Sequence, residues 1–251
     1  TPSLANSFAT EIYTGNGGTK SITGTGFKPE FSWVKNRNTA GNNNNLADIV
    51  RGVNNIVVTN STNSQYFNST YQFNSFDTDG ITVTDDAAGN YGFNGNNETY
   101  VAWNWKAGGT PSINTDGTIT SIVSANQAAG FSIVSFSNNN SFTNTFGHGL
   151  GAQPELVIIK STSIAADWFV YVDSLGKSKR LQLNLSNAQS SWTSNDGWNT
   201  ATGITSSVLS FAYSGTSYPF IAYCFTSISG YSKVGSYTGN GSSTGPIVTT
   251  G

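Results

Sequence analysis

The sequence predicts an all-β protein made of two tandem, homologous antiparallel β-sandwiches. Only 10% of its 251 residues are charged, against about 25% in an average soluble domain. Asn, Ser, Thr and Gly, which favour turns and solvated strand faces over helices, take the place of the missing charge. Short alternating segments between turn residues, together with an internal repeat, complete the case for tandem sandwiches.

Composition also excludes several classes of function. The net charge is −2 and the basic residues form no long block, so we expect no nucleic-acid partner. One Cys and one His cannot supply the usual multi-cysteine zinc site, and we expect no cofactor. No apolar run reaches the length of a membrane span, which predicts no membrane insertion. The absence of Met and of a signal peptide predicts a processed chain or part of a longer one.

The first half is predicted to consist of short strands joined by turns. Phe8–Thr14 alternates as a strand, and residues 15–18 follow as a turn of Gly and Asn, which tolerate positive φ. Residues 77–80 form a second predicted hairpin turn. Further strands are predicted at residues 20–23, 31–35, 46–50, 55–60 and 81–84, with polar loops at 36–45 and 85–97 and a polar connector at 61–75.

The strand that closes this half organises the rest of the chain. Residues 100–105 alternate, with Val101, Trp103 and Trp105 predicted on one face and the even-numbered residues on the other. Two glycines follow and allow the backbone to turn away. A second copy of this pattern is Tyr218–Phe225. We therefore expect two copies of one domain, each ended by such a strand.

An internal repeat supports the duplication directly. Residues 29–35, Pro-Glu-Phe-Ser-Trp-Val-Lys, align with residues 154–160, Pro-Glu-Leu-Val-Ile-Ile-Lys, at an offset of 125 (154 − 29). Asp48 and Asp173 keep this offset. The two closing strands are 120 apart (222 − 102), because loops tolerate changes in length.

The repeat divides the chain into four segments. Residues 1–109 and 130–233 are the two predicted sandwiches, and residues 110–129 are predicted to form a linker hairpin. Residues 234–251 contain Tyr-Thr-Gly-Asn-Gly, the same letters that end the first strand and begin its turn. We expect this tail to open a third copy or to donate a strand to a neighbour.

Several of these motifs together resemble a known family. They are the segments 13–17, 29–35, 48–52, 100–109, 148–151 and 230–233. In combination they resemble repeat modules of large virion structural proteins of marine tailed phages, over nearly the whole chain. The resemblance implies tandem concanavalin- or laminin-G-like jelly-roll sandwiches at a virion surface or in an extracellular location. It also implies a structural or adhesive role, and it carries no catalytic signature.

We therefore expect a non-enzymatic tail-fibre or particle-surface component that contacts host-surface glycans, with copies of itself or other virion subunits as partners. The alternatives are a subunit of an extracellular bacterial or archaeal surface filament or adhesin, and a carbohydrate-binding module of a larger secreted protein. A polysaccharide hydrolase would need a carboxylate pair across the bond it cuts, and no predicted strand carries one. Glu30 and Glu155 are equivalent positions of the repeat, which predicts a shared structural role.

A glycan contact is predicted in the polar stretch 190–198. Trp192 and Trp198 stand between polar residues, so a ring could stack on a sugar while Asn195 and Asp196 bond its hydroxyl groups. The alternative is that these two tryptophans fold back and cap the edge of the sandwich.

The sequence predicts no metal site, and the candidates nearest to one, for calcium, are two acidic residues of a turn. Asp77 and Asp79 offer the carboxylate oxygens that Ca²⁺ prefers. The alternative is an ordinary hairpin turn, because Asp-Gly is a standard hairpin signal.

The remaining aromatic and reactive residues are predicted to be structural. His148 has no catalytic partner in a recognisable motif and is expected to bond locally within its loop. Cys224 lies on the second closing strand and is expected to be buried. Core positions are predicted for Trp33, Trp103, Trp105 and Trp168, which lie in apolar, strand-like runs.

Overall fold

The computed structural model describes residues 6–67, 72–85, 92–138, 141, 143–192, 197–198, 203–213 and 217–249. Its named strands pair antiparallel throughout, and a short 3-10 turn at Asp173–Leu175 interrupts them. The predicted all-β class is confirmed. No helix in the described ranges is long and apolar enough to cross a membrane.

The first half contains one large and one small sheet. The large sheet has the order β1-β9-β3-β4-β5-β6, formed by Phe8–Thr14, Thr99–Trp105, Phe31–Asn36, Asn44–Asp48, Asn55–Val58 and Tyr66–Phe67. The small sheet has the order β2-β8-β7, formed by Thr19–Thr23, Gly80–Thr84 and Gln72–Asp77. The polar connector predicted at 61–75 is therefore interrupted by β6 and by the start of β7, because its aromatic residues find strand partners that the surrounding polar letters do not reveal.

The second half repeats this plan with extra strands. Its large sheet has the order β10-β11-β12-β21-β14-β15-β16-β17, formed by Ser112–Asn114, Ser121–Asn126, Phe131–Asn138, Tyr218–Phe225, Leu156–Ser161, Phe169–Val172, Lys179–Gln182 and Ser190–Ser191. Two short pairs accompany it: β13 (Phe146–Gly147) with β19 (Val208–Leu209), and β18 (Gly197–Trp198) with β20 (Phe211–Ala212). The hairpin expected within residues 110–129 is β10-β11, and it joins this sheet.

Equivalent strands occupy equivalent places in the two large sheets. The order β1-β9-β3-β4-β5-β6 matches β12-β21-β14-β15-β16-β17 strand for strand, and β3 and β14 begin 125 residues apart (156 − 31). The correspondence reaches individual hydrogen bonds: Glu30 N–H donates to the Trp105 carbonyl at 2.9 Å, and Glu155 N–H donates to the Phe225 carbonyl at 2.8 Å. The repeat in the sequence is thus a repeat of local structure.

In the described ranges, three hydrophobic clusters fill the spaces between sheets that pack face to face. Because side chains alternate along a strand, each large sheet contributes to two clusters. Val34 and Ala102 of the first large sheet pack against Ile81 and Phe73 of its small sheet. The second large sheet packs in the same way against the two short strand pairs. The opposite face of each large sheet, called its outer face below because it points away from the small sheet or strand pairs of its own half, packs against that of the other half in the third cluster.

This third, middle cluster joins the two halves. Phe31 of β3 contacts Phe131 and Tyr223 edge-on, with ring centroids 5.6 and 4.8 Å apart. The fully buried Trp168 donates its indole N–H to the Val58 carbonyl at 2.9 Å. Each half therefore buries apolar surface against the other, which stabilises the pair by the hydrophobic effect.

A buried polar network lies beside this cluster. Arg51 Nε donates to Asp48 Oδ2 at 2.6 Å, and the Tyr223 hydroxyl donates to the same oxygen at 2.7 Å. Lys160, also buried, donates its ammonium to the Thr62 and Ala166 carbonyls at 2.9 and 2.6 Å. Since buried charges are costly unless they are paired and hydrogen-bonded, these contacts fix the position of one half on the other.

The tail that follows the second half lies apart from the sheets. Residues 234–249 form no strand, and Tyr237 and Ile247 are 70% and 98% exposed. The expectation that this tail opens a third copy or pairs with a neighbour stays a prediction.

Candidate functional site

An aromatic groove lies on the outer face of the first large sheet, beyond the part covered by the second half. The strand order brings together residues that are distant in sequence: Trp103 lies opposite Trp33, and Trp105 lies between Phe8 and Phe31. The predicted alternation of β9 is confirmed, with Tyr100, Ala102 and Asn104 buried and the odd-numbered residues partly exposed. Two residues of this odd-numbered row, Trp103 and Trp105, line the groove.

The groove has a volume of about 490 Å³ and is lined by Phe8, Trp33, Lys35, Asn44, Trp103 and Trp105. The Trp33 and Trp103 rings meet edge-on with centroids 5.7 Å apart, and those of Phe8 and Trp105 are 4.7 Å apart. Phe8 is 38% exposed. Trp33, Trp103 and Trp105 are partly exposed beside it. A concave aromatic surface of this kind is typical of interaction sites.

Polar atoms of the lining residues remain without partners. Trp33 Nε1 and Asn44 Oδ1 are buried and have no hydrogen-bond partner. Lys35 donates its ammonium to the Asn42 carbonyl at 3.3 Å at the edge of the groove. A ligand that combines a flat apolar face with hydroxyl groups would satisfy both kinds of surface, since buried polar groups without partners cost free energy.

Comparison with protein families assigns nearly the whole chain to a single family. Residues 3–251 match a domain of unknown function, DUF7483. The chain belongs to this family. No curated protein and no solved structure matches it.

The tryptophans for which a glycan contact was predicted are placed elsewhere in this DUF7483 chain. Trp198 is 3% exposed and packs against Tyr171 and Phe211, with ring centroids 5.6 and 5.0 Å apart. A sugar cannot stack on a ring that is buried in this way. The prediction for Trp198 is therefore corrected, and the alternative, a tryptophan folded back on the sheets, describes it. Asn195 and Asp196 lie outside the described residues.

Trp192 is partly buried, and its faces are already in contact with other side chains. The Arg180 guanidinium carbon lies 4.7 Å from the centre of its ring, in a cation–π contact. Phe169 and Phe211 pack against it at 5.0 and 5.7 Å. Gly197 permits this packing, because a Cβ there would lie 2.4 Å from Trp192 Cγ. Sugar stacking on Trp192 would have to displace Arg180.

The candidate calcium residues of the DUF7483 chain hold turns together. Asp77 accepts hydrogen bonds from the Ser75 and Thr82 hydroxyl groups, both at 2.7 Å. Asp79 accepts from two backbone N–H groups of the loop after β2, with the shorter bond, from Gly26, at 2.6 Å. Their oxygens are thus used as the hairpin-turn alternative predicts. Within the described ranges no three His, Cys, Asp or Glu side chains gather in a way that could hold a metal ion.

The lone His and Cys have the local roles expected of them. His148 Nδ1 accepts from Leu150 N–H at 3.3 Å, and Nε2 lies 3.2 Å from the Thr205 carbonyl. Burial lowers the pKa of His148 to about 4, so the ring is neutral and Nε2 is its donor. Cys224 is fully buried, and burial raises the pKa of its thiol to about 12.

The aromatic groove itself was missed from the sequence, where Trp33, Trp103, Trp105 and Trp168 were assigned to the core. Trp168 is fully buried, and Trp33 and Trp105 are partly buried and pack against the middle cluster, in line with that prediction. The prediction did not include the partly exposed side of Trp33, Trp103 and Trp105 that lines the groove. The available signal was the odd-numbered aromatic face of β9 together with the odd-numbered positions of β3. Joining them required the knowledge that β9 lies between β1 and β3, which alternation within one strand does not provide.

Proposed function

We propose that this DUF7483 chain is a non-enzymatic structural and adhesive module of a virion surface, such as a tail fibre, and that it binds host-surface glycans through the aromatic groove. The observation that carries the proposal is a partly exposed aromatic groove on the first large sheet. The virion setting rests on the motif resemblance described above. The low charge and the Asn-, Ser- and Thr-rich surface suit an extracellular particle component.

The same proposal includes the fold in finer detail. Each half is a jelly-roll sandwich of the concanavalin or laminin-G kind, descended from one duplicated module. Support comes from the identical order of six equivalent strands in the two large sheets, and from the small sheet or strand pairs packed on one face of each.

The chemistry of the groove favours a saccharide over other ligands. Aromatic rings offer apolar faces with defined geometry, and a pyranose ring presents a matching face of C–H groups. Trp33 Nε1 can donate and Asn44 Oδ1 can accept, which are the two roles that sugar hydroxyl groups complement.

A second candidate function, self-assembly into a filament, is favoured by the sheet edges. β1 and β10 are edge strands of the two large sheets, and they carry Ile12 and Ile113, which are 64% and 73% exposed. Unpaired edge strands with exposed apolar side chains are ready templates for pairing with another copy. A homo-oligomer is therefore part of this alternative.

Glycan binding is tested with immobilised bacterial surface polysaccharides and the variants Trp33→Ala and Trp103→Ala. Each ring lost should weaken binding about fivefold, because an aromatic contact contributes about 1 kcal/mol. Phe8→Ala removes a more exposed ring and guards against a variant that fails to fold. Tyr237→Ala is the matched control, since Tyr237 is an exposed aromatic residue outside the groove.

Equal binding by wild type and all groove variants would refute the groove as the glycan site. The native mass, measured by light scattering at several concentrations, distinguishes the adhesive module from the self-assembling filament. A concentration-dependent polymer that Ile12→Lys abolishes would favour the filament, whereas a strict monomer that binds polysaccharide would favour the adhesive module.

A further inference from the structure

Glu30 and Glu155 occupy equivalent positions of the repeat, but their carboxylates differ in hydrogen-bond partners. In the second half, Glu155 Oε2 accepts from the Ser227 hydroxyl at 2.5 Å, and Oε1 accepts from Ser227 N–H at 3.3 Å. Ser227 lies two residues beyond the end of β21. One residue thus supplies two neighbouring donors to one carboxylate.

In the first half this partner is absent. The equivalent carboxylate is Glu30, and the residue two positions beyond β9 is Ala107, which has no hydroxyl group. Glu30 is 6% exposed, and its Oε2 is buried without a hydrogen-bond partner. A buried acceptor without a partner is costly, more so when charged, so this oxygen calls for a donor from outside the chain.

Glu30 lines an open cleft where such a donor can enter. The cleft has a volume of about 770 Å³ and is bounded mainly by polar and small residues: Asn6, Ser7, Glu30, Lys106, Ala107, Gly108, Gly109, Ala125, Asn126, Gln127 and Ala128. The cleft that Glu30 lines thus also includes residues with amide, hydroxyl and ammonium groups, and none of its lining residues is aromatic.

The cleft and the aromatic groove both include residues at the end of the sheet where β1 begins and β9 ends. Ser7 directly precedes β1 and Lys106 directly follows β9, and both line the cleft, whereas the terminal strand residues Phe8 and Trp105 line the groove. The cleft is thus a second cavity that shares no lining residue with the groove.

We propose that this cleft binds one saccharide unit, which donates to Glu30 the pair of hydrogen bonds that Ser227 donates to Glu155. The matching donor pair is two vicinal hydroxyl groups, or a hydroxyl group beside the N–H of an N-acetylated amino sugar. The inference rests on the proposed glycan-binding function and names a second, polar subsite for it. A divalent cation fits less well, because Ca²⁺ takes six to eight oxygen ligands and the cleft offers one carboxylate beside the cationic Lys106.

The test is saturation-transfer NMR on the full chain with methyl N-acetyl-β-glucosaminide and methyl β-glucoside, and with methylammonium chloride as an ammonium probe. Glu30→Gln keeps the shape but removes the charge. Ala107→Ser gives the first half the internal donor of the second, so it should occupy Glu30 without damaging the fold. Each variant should raise the Kd of the bound sugar about tenfold, the equivalent of one charge-assisted hydrogen bond, while Tyr237→Ala should not change it.

Three results would overturn the inference: neither sugar binds the wild type, both variants bind like the wild type, or methylammonium alone binds in a Glu30-dependent manner. Trp33→Ala separates this inference from the proposed function. Loss of polysaccharide binding in Trp33→Ala, with Glu30-dependent binding of the single sugar retained, supports both proposals. Polysaccharide binding that is insensitive to Trp33 refutes the groove and leaves the cleft to be judged by its own variants.

Discussion

Replacing Ser227 with Ala should leave Glu155 Oε2 without its hydroxyl donor, as Glu30 Oε2 is in the first half, while the backbone N–H of residue 227 can still donate to Oε1. The change removes the hydroxyl group that donates to Glu155 Oε2 at 2.5 Å and accepts from Val234 N–H at 3.0 Å. A hydrogen bond to a charged group contributes about 1.5–3 kcal/mol and a neutral one about 0.5–1.5 kcal/mol. Because Glu155 and Ser227 are only partly buried, water replaces part of this. We expect the free energy of unfolding to fall by about 2 kcal/mol.

The measurement is urea unfolding followed by tryptophan fluorescence, with the wild-type slope retained so that the midpoint reports stability alone. Ala107→Ser is the converse variant and should raise the free energy of unfolding by about 1 kcal/mol, because it gives the buried Glu30 a donor. If Ser227→Ala costs less than about 0.5 kcal/mol, which is ordinary for a surface substitution, and Ala107→Ser stabilises nothing, the reasoning from the repeat is refuted.

Other predictions test the buried groups and the contact between the halves. The pKa of His148 falls from 6.5 to about 4 on folding, so the unfolded state binds more protons between these two values. About 3 kcal/mol of the free energy of unfolding should therefore be lost as the pH falls from 6.5 to 4. Urea unfolding measured from pH 7 to 4 should show a smaller loss for His148→Asn than for the wild type. Tyr223→Phe should cost about 2 kcal/mol by removing the hydroxyl that donates to Asp48, and calorimetry should still show one transition; two separate transitions would contradict a shared middle cluster. The thiol of Cys224 should not react with Ellman's reagent until urea unfolds the chain, because burial raises its pKa to about 12; reaction in the native state would contradict its burial.

Local pattern predicted most strands of the first half, apart from β6 and β7. The alternation of β1 and β9, the position of β3 and the offset between β3 and β14 were read from sequence, because strand periodicity and repeats are local signals. Short strands such as β6 and β17 were not predicted, since two residues carry no periodicity. The order of strands in each sheet was also beyond reach, because it depends on contacts between distant segments.

In the candidate site, too, the features that depend on contacts between distant segments were the ones not predicted. Trp192 and Trp198 were placed at a surface because their neighbours are polar, but packing by Arg180 and Phe211 overrides the local composition. For Trp103 the error was the opposite one. Its apolar strand predicted a buried core position, but the second half does not cover that part of the sheet, so the ring stays partly exposed. The difference between Glu30 and Glu155 depends on a residue that lies 77 positions away in the first copy (107 − 30) and 72 in the second, and only the structure brings these residues together.

The shared middle cluster also has a consequence for synthesis on the ribosome. The first half is complete as a sequence once Trp105 has been added, but the face that carries Phe31 has no cover until Tyr223 follows. At roughly 5–20 residues per second, about 120 further residues take some 6 to 24 s. During that interval a nascent chain exposes the surface that later joins the halves, and a neighbouring nascent chain presents the same surface. Efficient production should therefore depend on keeping nascent chains apart, by slow initiation or by a chaperone, more than on the stability of the finished protein.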